Sequence, residues 1–411
     1  MDEELYEPNP FKVLIDYFIS NIRTVDETLS IAILGAYEEL DEVKREMDEF
    51  INTHTKENPE KENEILVPVE KISAFERFLK KRRIYDLAPI TIPRIFLVAL
   101  ISHFEDFLRR IISIAFEVKP EITKRFENKQ VTLGDLKKFG SVDRTIDYIH
   151  EKVIDNLLRE PGDQFEKLED IFNMRLEPKP GNWKKYIEIK ARRNLFVHTG
   201  GLVSTQYLDT CKENDIDVDD LEVGQGLFVD PDYFQDAYLV IFQIGYKLAQ
   251  VVWRKFDPDN IELADSNLIQ VGYDALYDGN YKLAQIIFDF ALEDLPKISD
   301  EQNRRIMVIN RAQSYKWATD EEKAMEIIDG EDWSSVEKKF QLARAVLLDK
   351  FDDAVRIMKE IGDSDTTLSR TAYQEWPLFQ EFRKTQQFIN AYEDIYCEPF
   401  SHKDIEEQRD R

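Results

Sequence analysis

Residues 193–198 read Arg193-Asn194-Leu195-Phe196-Val197-His198, and Thr199-Gly200-Gly201 follow at once. A guanidinium, an amide and an imidazole this close together suit work on a phosphodiester. The cation can hold the phosphate oxygens, and the imidazole titrates near neutrality and can move a proton. Asn182 to Val197 has helical spacing, with Trp183, Tyr186, Val197 and the aliphatic stem of Lys190 on one side. Gly200 and Gly201 supply the left-handed residue that ends many helices, which puts His198 in the last turn. Residues five apart on a helix lie about 140° apart around its axis and about 7.5 Å along it. Arg193 and His198 thus border one arc at a helix end, with Asn194 between them.

These residues resemble the catalytic motif of HEPN-superfamily ribonucleases, in which Arg is followed by Asn, His or Asp, three variable residues and His. Upstream, Ile92 to Val118 looks like that family's first long helix, with Ser102, Glu105 and Arg109 as a polar stripe on an apolar rod. Downstream, Gly201-Leu202-Val203 and Tyr207 are similar to the segment that follows the His. Gly226-Leu227-Phe228-Val229 then leads to Asp230-Pro231, an N-cap and first-turn proline for a closing helix. The resemblance spans roughly residues 90 to 258 and implies a metal-independent endoribonuclease. His198 would act as base on the ribose 2′-hydroxyl or as acid toward the leaving 5′-oxygen. Arg193 would hold the scissile phosphate, Asn194 would orient either partner, and Glu105 would be a further catalytic position. The product would be a 2′,3′-cyclic phosphate, and neither metal nor cofactor is implied. In that family the motif commonly faces its copy across a homodimer, and such nucleases often serve as toxins or in antiphage defence.

Composition frames this reading. The 411 residues allow two or three domains, and 14 Gly with 33% charged and 43% hydrophobic residues suit a helix-rich globular chain. Cys211 and Cys397 lack the spacing of a disulfide framework or a zinc site. Met1-Asp2-Glu3-Glu4 is unlike a signal peptide, and no uncharged run reaches the ~18 residues of a membrane span, so the expected location is cytoplasmic, away from membranes. The net charge of −27 opposes indiscriminate RNA binding. Local balance differs. Lys179, Lys184, Lys185, Lys190, Arg192 and Arg193 face only Glu177 and Glu188, and Lys184, Lys185, Lys190 and Arg192 are the expected RNA contacts. Residues 71–94 hold seven basic residues, Lys80-Lys81-Arg82-Arg83 among them, against Glu76 and Asp86. Both runs are equally readable as solvated helix faces.

The fold class expected is all-α, in three regions. Residues 1–90 form an N-terminal helical region. In it Phe11 to Asn52 makes one or two long helices with a hinge near Arg23 to Asp26, His54 to Glu64 is a mobile linker, and Lys71 to Arg83 is a further helix. Val67-Pro68-Val69 is a short extended piece, and Pro89 and Pro93 punctuate the entry to the helix from Ile92. Residues 91–258 form the HEPN-like bundle, with two or three shorter helices between Pro120 and Pro180, broken at Gly140-Ser141, Pro161-Gly162 and Pro178 to Gly181. In residues 264–411, Gly272, Ala275, Gly279, Tyr281, Ala284, Phe288, Ala291 and Pro296 resemble a tetratricopeptide repeat, where small residues let antiparallel helices approach. Weaker copies centre on Ala324 and Ala354, and Glu375 to Phe388 reads as a capping helix pair. A concave face including Tyr273, Asp274 and Tyr277 suits a protein trigger, antitoxin or defence partner.

Other candidates are weaker. Asp215-Ile216-Asp217-Val218-Asp219 opens like a calcium loop, but Asp220 stands where Gly is needed and Gly226 where Glu is needed. His103 reads as a core or polar-face histidine, and Glu105 with Arg109 also fits an intrahelical ion pair. No phosphate-cradling Gly-rich loop or Ser nucleophile elbow is present. The favoured function is therefore an RNA-cleaving effector regulated by its C-terminal repeats. The alternative is a non-catalytic interaction scaffold that merely carries the motif.

Overall fold

The computed structural model of the chain describes residues 8–61, 64–126, 130, 132–159, 164–174, 182–363 and 368–400. Lys179, Glu177, the residues before Asn9 other than Pro8, and the expected breaks at Pro161-Gly162 and Pro178 to Gly181 lie outside the described residues. The described chain is all-α apart from one two-stranded ladder, and it divides into two compact units, Met1–Val252 and Trp253–Arg411.

The first unit is built on two long antiparallel helices. Helix α1, Pro10–His54, starts where Asn9 caps the amides of Phe11 and Lys12 and Pro10 fills a first-turn position needing no donor. It buries Ile22, Val25 and Leu29 without interruption, so the expected hinge near Arg23 is absent. Nothing there breaks a helix, and Arg23 pairs with Glu27 one turn on (2.5 Å). The expected linker closes as a small hairpin, β1 (Lys56–Glu57) against β2 (Ile65–Leu66). Val69 belongs to a 3₁₀ turn rather than an extended piece.

Helix α2, Ile72–Val118, runs straight through Pro89 and Pro93 and so corrects the expected boundary between a helix at 71–83 and one from Ile92. The two prolines are four apart, and the carbonyl that the missing Pro93 amide would have met is that of Pro89 itself. The lost hydrogen bonds therefore fall on one side, while Ala88, Pro93, Leu97 and Leu100 stay buried. Phe18 of α1 lies 4.4 Å from Phe107 of α2, and Phe50 lies 5.9 Å from Phe75 near the hairpin tip. By length and composition α2 alone among the described helices could cross a membrane; 22% of its apolar window is buried, and Arg94 sits along it.

Three shorter helices follow: α3 (Leu133–Phe139), held by a Thr132–Asp135 capping box, α4 (Val142–Arg159) and α5 (Gln164–Phe172). Next come α6 (Trp183–His198), α7 (Thr205–Glu213) and α8 (Pro231–Phe256), the last capped by Asp230 accepting from the Tyr233 amide at 2.8 Å. Gly245 of α8 lies under the Phe18 ring, where any Cβ would collide.

The second unit stacks three helix hairpins: α9 (Ile261–Tyr277) with α10 (Tyr281–Asp289), α11 (Glu301–Trp317) with α12 (Glu321–Asp329), and α13 (Lys338–Leu347) with α14 (Phe351–Ile361). Each hairpin turns through a left-handed residue, Gly279, Thr319 or Asp349. The same backbone bonds recur at each turn, as in Asn280 N to Ala275 O, Asp320 N to Tyr315 O and Lys350 N to Ala345 O. Gly272 lets α9 and α10 approach, because the Phe288 ring occupies the space a Cβ would need. Helices α15 (Arg370–Glu375) and α16 (Gln386–Tyr396) complete the unit, with buried Arg383 donating to the Tyr373 and Trp376 carbonyls.

Candidate functional site

Helix α6 carries the Arg-Asn-x-x-x-His sequence, and its burial decides what each side chain can do. Trp183, Tyr186, Ile187, Lys190 and Leu195 are buried, whereas Val197 and His198 are exposed at the C-terminal turn. Val197 thus departs from the apolar side expected of it. The turn itself follows the expected design: Gly200 and Gly201 are left-handed, and the amides of Thr199 and Gly201 both reach the Leu195 carbonyl (2.8 and 3.0 Å).

Arg193 points back against α2. Its Nη2 donates to Glu105 Oε1 at 2.6 Å, and Lys190 Nζ approaches the same oxygen at 3.3 Å. Lys190 is 3% exposed, so this expected RNA contact is a buried counter-charge to Glu105 in this geometry. Burial lowers its pKa, and Glu105 opposes that shift. The Arg193 Nε is buried with no acceptor, so the guanidinium keeps donors unused by Glu105. Asn194 is half-buried beside it.

The polar stripe of α2 divides. Glu105 serves α6, Arg109 pairs with Asp155 of α4 at 2.8 Å, and the exposed Ser102 donates to the Val98 carbonyl of its own helix. The alternative reading of a Glu105–Arg109 ion pair is thereby replaced by two longer-range pairs. His103 is half-buried.

The remaining basic residues of α6 sit apart from this cluster. Lys184 lies 3.3 Å from Asp215 and Lys185 3.7 Å from Asp236, exposed pairs that cost little to part. Both border a cleft of about 270 Å³ with Glu188, Tyr233 and Asp236. Arg192 is held inside: it pairs with Glu188 at 2.7 Å, donates to the Phe228 carbonyl and lies over the Tyr233 ring. Glu188 also accepts from the Tyr207 and Tyr233 hydroxyls (2.7 and 2.8 Å), tying α6, α7 and α8 together. Burial and the Glu188 charge raise the Tyr233 phenol well above its usual range.

Arg94 was not singled out by sequence reasoning, which counted it only within a basic run. Its two terminal nitrogens donate to the carbonyls of Gly200 (3.1 Å) and Leu227 (3.0 Å), and its guanidinium lies between the Phe196 and Phe228 rings. A single α2 side chain therefore fixes the turn that follows His198.

In the second unit, a cleft of about 390 Å³ is lined by Tyr273 of α9, Ile306 and Asn310 of α11, Phe340 of α13 and Trp376. Tyr273 is thus on a concave surface as expected, while Asp274 and Tyr277 are not among its lining residues. Among the described residues, no three His, Cys, Asp or Glu side chains gather as a metal set. No family model, curated protein or solved structure matches the chain.

Proposed function

We propose that this protein is an endoribonuclease of the HEPN type, with Arg193, Asn194 and His198 at its centre and a tetratricopeptide-like C-terminal unit that governs when it acts. One observation carries the reading: the partly buried Arg193 guanidinium, turned toward Glu105, stands on the same helix that ends in an exposed imidazole.

The chemistry follows from these groups. The ribose 2′-oxygen attacks phosphorus, the P–O5′ bond breaks, and a 2′,3′-cyclic phosphate remains. His198 takes the 2′-hydroxyl proton or supplies one to the 5′-oxygen. Arg193 neutralises charge on the phosphate oxygens, and Glu105 fixes its orientation. Lys184 and Lys185 supply exposed contacts to the RNA backbone.

A homodimer through this face is supported by Val197, Leu202 and Phe228, which are 50%, 50% and 57% exposed around the motif turn. The scaffold reading draws on the largely apolar cleft of the second unit, which fits a protein trigger or antitoxin equally well in a restrained nuclease. The proposed location is cytoplasmic.

The test is RNA cleavage in EDTA by the full chain, with its activating partner where one is needed. His198→Ala and Arg193→Ala should each cut at least about 100-fold more slowly with helicity unchanged. Variants that cut at the wild-type rate would remove the assignment.

A further inference from the structure

Of the 24 large apolar side chains exposed in the described chain, 12 fall between residues 31 and 95, on the α1–α2 hairpin and its tip. They follow the outward edges of the two helices. On α2, exposed Arg77, Lys80, Ile84, Leu87, Thr91 and Ile95 are spaced three or four apart and form one stripe, basic toward the tip and apolar below. On α1, exposed Ile31, Leu34, Glu38, Glu42 and Glu49 form a stripe that is apolar below and acidic toward the tip. Arg45 interrupts it, with its Nε turned toward the Asp41 carbonyl at 3.4 Å.

The levels match. Tyr85 donates to Glu39 at 3.2 Å, and counting five residues along each helix from that pair sets Leu34 level with Ile90. The same counting sets Glu42 level with Arg82 and Glu49 level with Phe75, as the Phe50–Phe75 stack requires. The apolar stretches share a level, Ile31 and Leu34 falling beside Leu87, Thr91 and Ile95, and toward the tip Glu42 and Glu49 fall within about two residues of Lys80 and Arg77, with Arg45 between them. Glu38, Glu42, Glu49, Arg77 and Lys80 form no ion pair within the chain among the described residues.

We infer that copies of this chain associate arm to arm, side by side and parallel, the α1 edge of one against the α2 edge of the next. Both edges face away from the buried α1–α2 seam and so lie on opposite sides of the arm. The contact is therefore heterologous and repeats into a ring or an open row rather than closing as a two-fold pair. Charge selects this occupant. An anionic membrane or RNA would be drawn to the α2 edge and repelled by the acidic α1 stripe at the same height, whereas a second copy satisfies both. The inference stands apart from the nuclease reading, and His198→Ala leaves the arm assembly intact.

The experiment is size-resolved light scattering of the full chain across a concentration series, at low and high salt. The wild-type mass should rise with concentration and fall with salt. The double variant E42K/E49K and the double variant R77E/K80E should each lose at least one protomer from the assembly. Mixing the two should restore it, because each then offers the edge the other now needs. Restoration also rules out misfolding as the cause of loss. A wild-type mass independent of concentration, reversal variants with wild-type mass, or a mixture that stays dissociated would overturn the inference. Binding of the chain to anionic vesicles without self-association would assign the face to a membrane instead and overturn it equally.

Discussion

Replacing Glu105 by Gln removes one negative charge from between two cations and leaves the shape of the site almost unchanged. The carboxylate oxygen is 2.6 Å from Arg193 and 3.3 Å from Lys190, whose side chains are 16% and 3% exposed. Breaking a fully buried ion pair costs about 3–5 kcal/mol, because the abandoned charge keeps its desolvation penalty. Glu105 retains 24% exposure, so water screens part of this and the expected loss is about 2–3 kcal/mol near neutral pH. For a unit the size of Met1–Val252, that lowers Tm by about 5–10 °C.

The pH dependence gives the sign. Burial places the Lys190 pKa below 10.5, with Glu105 pulling it back up. Between its folded and unfolded values the unfolded chain binds more protons, so stability from this group rises with pH across the window below 10.5. Without Glu105 that window opens further downward, and the variant recovers stability as Lys190 gives up its proton. Thermal melts followed by circular dichroism should therefore show the largest deficit at about pH 7 and a smaller one at about pH 10. An unchanged Tm, or a deficit that grows with pH, would refute the assignment of Lys190 and Arg193 to one carboxylate.

Gly272→Ala should destabilise the second unit by about 1–3 kcal/mol, since its methyl meets the Phe288 ring, and Phe288→Leu in the same chain should recover part of the lost Tm. Cys211 is buried and its pKa is pushed up to about 11 by burial, with the Glu188 charge adding to it, so a thiol reagent at neutral pH should label only Cys397 until the chain is denatured. Arg94→Ala deletes two hydrogen bonds to carbonyls, at about 2 kcal/mol or more, and should speed hydrogen exchange at the Leu227 amide, which is bonded to Gly201 O at 2.8 Å. Exchange there at the wild-type rate would mean the turn after His198 holds itself.

Helix class was legible because apolar spacing and caps act locally. Asp230-Pro231 and Gly200-Gly201 end or begin helices in the structure as their types require. The irregular repeat was legible for the same reason: alanines 40 and 30 apart mirror the left-handed residues Gly279, Thr319 and Asp349 at the same separations. Breaks were legible only where backbone chemistry decides them. Pro89 and Pro93 read as a boundary because each lacks a donor, yet burial of Ala88, Pro93 and Leu97 against α1 outweighs two lost bonds. That comparison needs the partner helix, which no local window contains.

The candidate site shows the same division at the level of single charges. Arg193 and His198 declare themselves by type and spacing on one helix. Lys190 lies between the exposed Lys184 and Lys185 and the partly buried Arg193 and has the same composition-level signal as its neighbours, but the five residues from Lys185 to Lys190 turn the side chain about 140° around the axis. That rotation carries it under α2, beside Glu105, 85 positions away in the chain. Arg94 is further from view still: it reaches Gly200 and Leu227 across separations of 106 and 133 residues. What a basic residue does here depends on whether a carboxylate or a carbonyl from a distant segment meets it before solvent does. A charge count along the sequence therefore overstates the basic surface that faces solvent and understates the charge that fixes helix α6 in place.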